Sequence, residues 1–198
     1  MKQIDSLVGA CIQKGYVTQE KAPWLRYALE RRITTLVTFT LLLIIGLLIT
    51  DPATLLAFFI SFCSLRSRTN GFHARSFGRC FLDSLLGEVF YLGALPMLWN
   101  DTIAFAALIV SIMIIWVLAP YNHPSMDLSP KEVIACARSA KFRLSVLVFA
   151  LSVLHVLKQE QLAKGGMLGV AMTASTLAMA YCSPKTMPKE KGLESKQN

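Results

Sequence analysis

The sequence predicts an all-helical membrane bundle of about six spans. Two observations carry that reading: only 16% of the 198 residues are charged while 54% are hydrophobic, and apolar runs of membrane-crossing length recur along the chain. Soluble domains carry about 25% charged residues. The shortfall is what a lipid-facing surface requires, because a charge in hydrocarbon costs several kcal/mol.

Ahead of the first run, Ile4, Leu7, Val8, Cys11 and Ile12 repeat at helical spacing near Lys2 and Lys14. This reads as an amphipathic helix on the inner leaflet, or equally as an ordinary packing helix. The first span is Ile33 to Thr50. Asp51-Pro52 then makes a turn, and a short second segment runs from Ala53 to Leu65. That segment either lengthens by snorkelling of Arg66 and Arg68 or lies tilted or re-entrant. The third runs from Cys80 to Trp99, the fourth from Thr102 to Ala119, the fifth from Leu144 to Leu157 and the sixth from Gly165 to Cys182. A crossing takes roughly 17–25 residues at about 1.5 Å each, so the second and fifth are short. The fifth gains length upstream. Ser129-Pro130-Lys131-Glu132 has the form of a capping box with proline at the first helical position, and a helix begun there runs through Ala137 and Lys141 into the span. Residues 1–183 read as one transmembrane domain. The charged stretch 184–198 is apolar-poor and reads as a disordered tail.

Charge placement orients the bundle. The net charge of +8 is not a nucleic-acid signature, because the basic residues sit between apolar runs rather than along one soluble face. With the N-terminus inside, the segments 1–32, 66–79, 121–143 and 183 onward hold 18 of the 20 Lys and Arg residues, leaving Lys158 and Lys164 outside. That bias predicts cytoplasmic termini in a cell membrane. The first thirty residues contain acids and no long apolar stretch, so no cleavable signal peptide is expected. Five scattered cysteines without a CxxC pair indicate neither a disulfide framework nor a metal site.

Chemistry concentrates in one loop, from Arg66 to Cys80. Four arginines, two glycines, one histidine and one cysteine fall within fifteen residues between two apolar runs. Cys80 opens the third span, where free N–H groups and the helix dipole favour a thiolate. Arg79 precedes it, and Arg75 and Arg66 lie nearby in sequence. His73, seven residues upstream, can accept the thiol proton, giving a thiolate–imidazolium pair of the kind cysteine peptidases use. Gly71 and Gly78 can supply the backbone freedom to fold His73 onto Cys80. The bland reading has a thiol filling space at a helix end, a solvated imidazole and arginines that serve only as orientation signals. Asp83 and Glu88 lie inside the third span, where a carboxylate is costly without a partner or a role. Pairing with an arginine is the favoured reading, and orienting His73 the other. Asn70 can also orient the imidazole. Cys63, His123 and His155 read as core or solvated residues. A zinc peptidase would need HExxH and a serine hydrolase GxSxG, and neither motif is present. A transporter, the remaining alternative, would show repeat symmetry or paired broken helices.

The run Arg66, Asn70-Gly71-Phe72-His73-Ala74 and Cys80 resembles the active-site signature of the accessory gene regulator B (AgrB) family of quorum-sensing, peptide-processing membrane endopeptidases. Arginine seven before the histidine, glycine two before it, alanine after it and cysteine seven beyond all match. Ala119-Pro120 with Pro124, the length and the six spans agree as well. Asn70 departs, standing where a second glycine is common, but asparagine accepts left-handed backbone. The resemblance implies a membrane cysteine endopeptidase without a cofactor or metal. It would cut a short amphipathic propeptide with an acidic C-terminal tail through a thioester on Cys80, and a nucleophile within the peptide would then close a thiolactone or lactone ring. It further implies a homodimer, His73 as base then acid, Arg66 and Gly71 as loop or substrate supports, and an electrostatic match between the tail and Arg66, Arg68, Arg75 and Arg79.

Overall fold

The computed structural model describes residues 2–70, 77–98, 100–122 and 128–182. Within them every regular element is helical. The chain forms two compact units, Met1–Leu48 and Ile49–Asn198.

In the first unit, α1 (Lys2–Gln13) buries Ile4 and Val8 while Leu7 is half exposed. The chain then turns through Gly15 at φ 71°, a left-handed conformation that glycine adopts without penalty. A 3-10 turn, Gln19–Lys21, leads into α2 (Ala22–Ile49). Asp5 and Glu30 both reach Arg26 at 3.3 Å on an exposed surface. At about 1.5 Å per residue, α2 is long enough to cross a bilayer and keep this charged first part outside the hydrocarbon.

In the second unit, α3 (Pro52–Thr69) starts at Asp51, whose carboxylate accepts the Thr54 N–H at 2.9 Å, with proline at the first position. After α4 (Phe77–Glu88) come a π-helical turn, Val89–Ala94, and a 3-10 turn, Leu95–Leu98. α5 (Asp101–Leu118) is capped by Asn100. α6 (Pro130–Val156) begins at the expected capping box: the Ser129 hydroxyl accepts the Glu132 N–H, and the Glu132 carboxylate accepts the Ser129 N–H. α7 (Glu160–Cys182) packs against α3, α5, α6 and the π-helical turn.

The α3–α7 seam is the tightest in the unit. A Cβ on Gly165 would fall onto the backbone of Thr54, and one on Gly169 would come within 2.5 Å of the Phe58 carbonyl oxygen. Small residues four apart let two helix backbones meet where lipid offers no hydrophobic force to drive them together. As a result α7 has 67% of its most apolar stretch buried, against 22% for α5.

Among the described residues, four helices are long and apolar enough to cross a membrane: the helical stretch ending in α2, α5, α6 and α7. Six were expected. α3 has the length, but the charges of Arg66 and Arg68 in its last turn lower its apolar character. The third segment is not one α-helix, because α4 stops at Glu88. Pro96 lacks an N–H, and its ring crowds the carbonyl four residues back at Leu92, so the ladder opens into the π and 3-10 turns ahead of it. The fifth span is longer than its apolar run, as the capping box foretells, and the sixth begins at Glu160 rather than Gly165.

Candidate functional site

The last turn of α3 builds one side of the site. Arg66 is half buried, and its Nη1 donates to the Asn70 carbonyl at 2.7 Å. Asn70 ends α3 at φ 61°, in the left-handed region. This is the conformation for which asparagine and glycine are the usual choices, which accounts for an asparagine where the resemblance expects glycine. Thr69 is wholly buried, and its carbonyl accepts the N–H of Tyr121 at 2.9 Å. Tyr121 follows the Ala119-Pro120 bond, which is cis. Its ring meets that of Tyr181 edge-on at 5.0 Å, while the Tyr181 hydroxyl donates to the Leu118 carbonyl at 2.8 Å. From α6, Arg143 donates to the Ser64 carbonyl and to the Ser67 hydroxyl, each at 2.8 Å. The chain end of α3 is thus held by α5, α6 and α7 together. An arginine read from sequence as an orientation signal also serves as a clamp.

The other side is α4. Cys80 lies in its first turn, three residues after the helix begins at Phe77. Gly78, expected at a bend, is within the helix. Arg79 is exposed. The side chain of Cys80 and residues 71–76, with Gly71, His73 and Arg75, lie outside the described residues, as does His123. One turn beyond position 80 come Asp83, which is exposed, and Ser84. Two turns beyond is Glu88, 1% exposed, with neither carboxylate oxygen hydrogen-bonded among the described residues.

Between these walls lies a cavity of about 120 Å³. α3 lines it with Phe62 and Arg66, and α4 with Asp83, Ser84 and Gly87. Tyr91 of the π-helical turn closes one end, its hydroxyl 2.5 Å from that of Ser175 on α7. Met172, Thr176 and Met179 complete the α7 wall. Two residues singled out by sequence, Arg66 and Asp83, therefore share one cavity. The sequence reading missed the other lining residues; three of them, Ser84, Gly87 and Tyr91, follow position 80 by four, seven and eleven residues. That interval marks one helix face and was the available signal.

The remaining candidates lie elsewhere. Cys63 is exposed on α3 rather than filling a core. His155 packs its ring edge-on against Phe105 at 5.1 Å. No group of three or more His, Cys, Asp or Glu side chains suited to a metal ion occurs among the described residues.

In comparisons with known proteins, the family model described as accessory gene regulator B matches residues 5–177. No curated protein and no solved structure matches the chain.

Proposed function

The chain belongs to the accessory gene regulator B family, and on that premise we propose that it is a membrane-embedded cysteine endopeptidase that matures a peptide signal. Membership ties the protein to quorum-sensing propeptide processing, and its apolar helices tie it to a membrane. The step assigned to Cys80 and His73 goes further.

In this reading the Cys80 thiolate attacks the scissile carbonyl carbon, and His73, having taken the thiol proton, returns it to the departing amine. The acyl half of the propeptide is left as a thioester on Cys80, and the C-terminal fragment leaves. A thiol or hydroxyl within the held peptide, giving its proton to His73, then attacks the thioester. A thiolactone or lactone ring closes, and the Cys80 thiolate is regenerated. The thioester conserves acyl activation, so ring closure needs no further energy source, provided water is excluded. Arg66, Asn70 and Gly71 shape the loop. Arg75 and Arg79, with Arg66, face an acidic substrate tail. Asp83 or Glu88 serves as a helper. The same proposal has six passes, with α3 and the α4 stretch as the two shorter ones, α1 lying on the inner leaflet, and the termini and the site on the cytoplasmic side. The unit at work is a homodimer among membrane lipids.

One observation carries the reading. Cys80 stands in the first turn of α4, where the helix favours an anion, and one turn beyond it the same helix borders a cavity shared with Arg66. The test is mass spectrometry of the purified protein in lipid nanodiscs with its propeptide. Wild type forms a hydroxylamine-labile acyl adduct on Cys80 and releases a C-terminal fragment, His73→Ala slows both by at least a hundredfold, and Cys80→Ala does neither. Processing that survives in Cys80→Ala sinks the proposal.

A further inference from the structure

We propose that the cavity between α3, α4 and α7 is the specificity pocket for the substrate side chain on the acyl side of the scissile bond, and that it selects an apolar residue of leucine or methionine size. The inference rests on the peptidase reading and deepens it.

Position is the first argument. The cavity is walled by Asp83, Ser84 and Gly87, three, four and seven residues after position 80. On an α-helix those offsets lie on one face, beginning about 5 Å beyond the nucleophile's own turn. A side chain borne on the α-carbon bonded to the reacting carbonyl carbon must begin within a few ångströms of the sulfur that attacks it. Residues further along the peptide have no such constraint.

Size and polarity are the second. At about 120 Å³ the space is somewhat smaller than the roughly 150 Å³ apolar cavity that accepts benzene. It therefore has room for one aliphatic side chain and is too small for an indole. Phe62, Met172 and Met179 supply apolar walls, and methionine surfaces adapt to apolar guests. The hydroxyls of Tyr91 and Ser175 are directed at each other, so that end of the cavity offers little to a polar guest. Arg66 and Asp83, of opposite charge, both stand on the wall, so neither an acidic nor a basic guest meets a net complementary charge there, and a desolvated charge would be costly. An apolar residue is therefore a better occupant than the charged tail on the departing side.

Chemistry gives the third. After the first bond breaks, the leaving fragment departs while the acyl residue stays through the second transfer. Binding energy that fixes this residue acts on both steps and orients the thioester for the incoming nucleophile.

The test uses N-acetyl aminoacyl benzyl thioesters with Ala, Leu, Met, Phe, Trp or Asp at the acyl position. Transfer to the Cys80 thiolate forms a new thioester and releases benzyl thiol, read by chromatography and intact mass in nanodiscs. Wild type is expected to acylate with Leu and Met at least tenfold faster than with Ala or Asp, in keeping with the value of methylene groups in such pockets. Gly87→Ala, whose added Cβ would lie 2.8 Å from the Met172 Cε and crowd the cavity, and Thr176→Leu bring the Leu-to-Ala ratio close to one. Met172→Ala moves the optimum to Phe or Trp. Ratios within one variant do not depend on the fraction folded. A flat wild-type ranking, or ratios unmoved in all three variants while Cys80→Ala abolishes acylation, overturns the pocket and leaves the peptidase standing. Acylation that persists in Cys80→Ala, or that no probe produces in wild type, overturns both.

Discussion

The backbone N–H of Tyr121 donates to the carbonyl oxygen of Thr69 across 2.9 Å. That single bond joins the corner after α5 to the last helical residue before the Asn70–Cys80 segment. Thr69 is fully buried, so its carbonyl needs a partner, and a buried acceptor left alone costs about 1–3 kcal/mol. The Ala119-Pro120 corner noted in the sequence therefore bears, through α3, on the start of the segment proposed to be catalytic.

Asn70 tests how far that segment depends on its starting conformation. At φ 61°, Asn70→Gly should leave the thermal midpoint in detergent almost unchanged. Asn70→Val should lower stability by about 1–2 kcal/mol and reduce acyl-enzyme formation more than the melting curve accounts for, because the strain falls three residues before His73.

The α3–α7 seam gives a second expectation. Gly165→Ala places a methyl against the Thr54 backbone, and Gly169→Ala places one against Phe58. Backbone atoms cannot yield as a side-chain tip can, so each should destabilise by about 1–3 kcal/mol. Gly9→Ala and Gly78→Ala, whose added Cβ meets nothing within 4 Å among the described residues, should not. Thermal denaturation monitored by tryptophan fluorescence separates the two groups.

Asp51 gives a pH dependence. Burial pushes its carboxyl up, but the Thr54 hydroxyl and the backbone N–H groups of Thr54, Asp51 and Ala53 push it down further, and it ends below the ordinary value of 3.8. A depressed carboxyl stabilises the fold above its unfolded value, about 3.9. That stabilisation fades as pH falls from about 4 through the lower folded value. Between pH 6 and pH 2.5 the wild-type midpoint should therefore fall more steeply than that of Asp51→Asn, and Thr54→Val should lose part of the difference.

Glu88 supplies a stability prediction of opposite sign. Its carboxylate oxygens are buried without a hydrogen-bond partner among the described residues, so Glu88→Leu should raise stability by about 1–3 kcal/mol. A fall in the melting midpoint would show that the carboxylate is held in place by a partner.

Local signals in the sequence carried much of the fold. Ser129, Pro130 and Glu132 marked the start of α6 because capping acts within one turn of chain, and Asp51-Pro52 marked α3 in the same way. Leu92 to Pro96 did not announce the π-helical turn, since that depends on how the helix relieves the proline clash. At the site, the Arg66–Cys80 motif was legible by its density of reactive groups. The cavity was not, because its far wall is Met172, Ser175, Thr176 and Met179, about ninety residues away and ordinary when read along α7. The cost of a carboxylate inside a span is legible in the sequence at Glu88, but its burial with no hydrogen bond among the described residues is visible only in three dimensions.

The burial of α7 has a bearing on how this protein can change. The part of the helix that its neighbours sheathe does not meet acyl chains, so hydroxyl-bearing positions there escape the penalty that lipid imposes on α5. Variation should follow that division. In a saturation library, the outward residues of α5 should accept almost any greasy side chain and reject polar ones, while α7 should accept serine or threonine yet reject bulk. New substrate preferences would then arise most readily from the least hydrophobic of the four long helices.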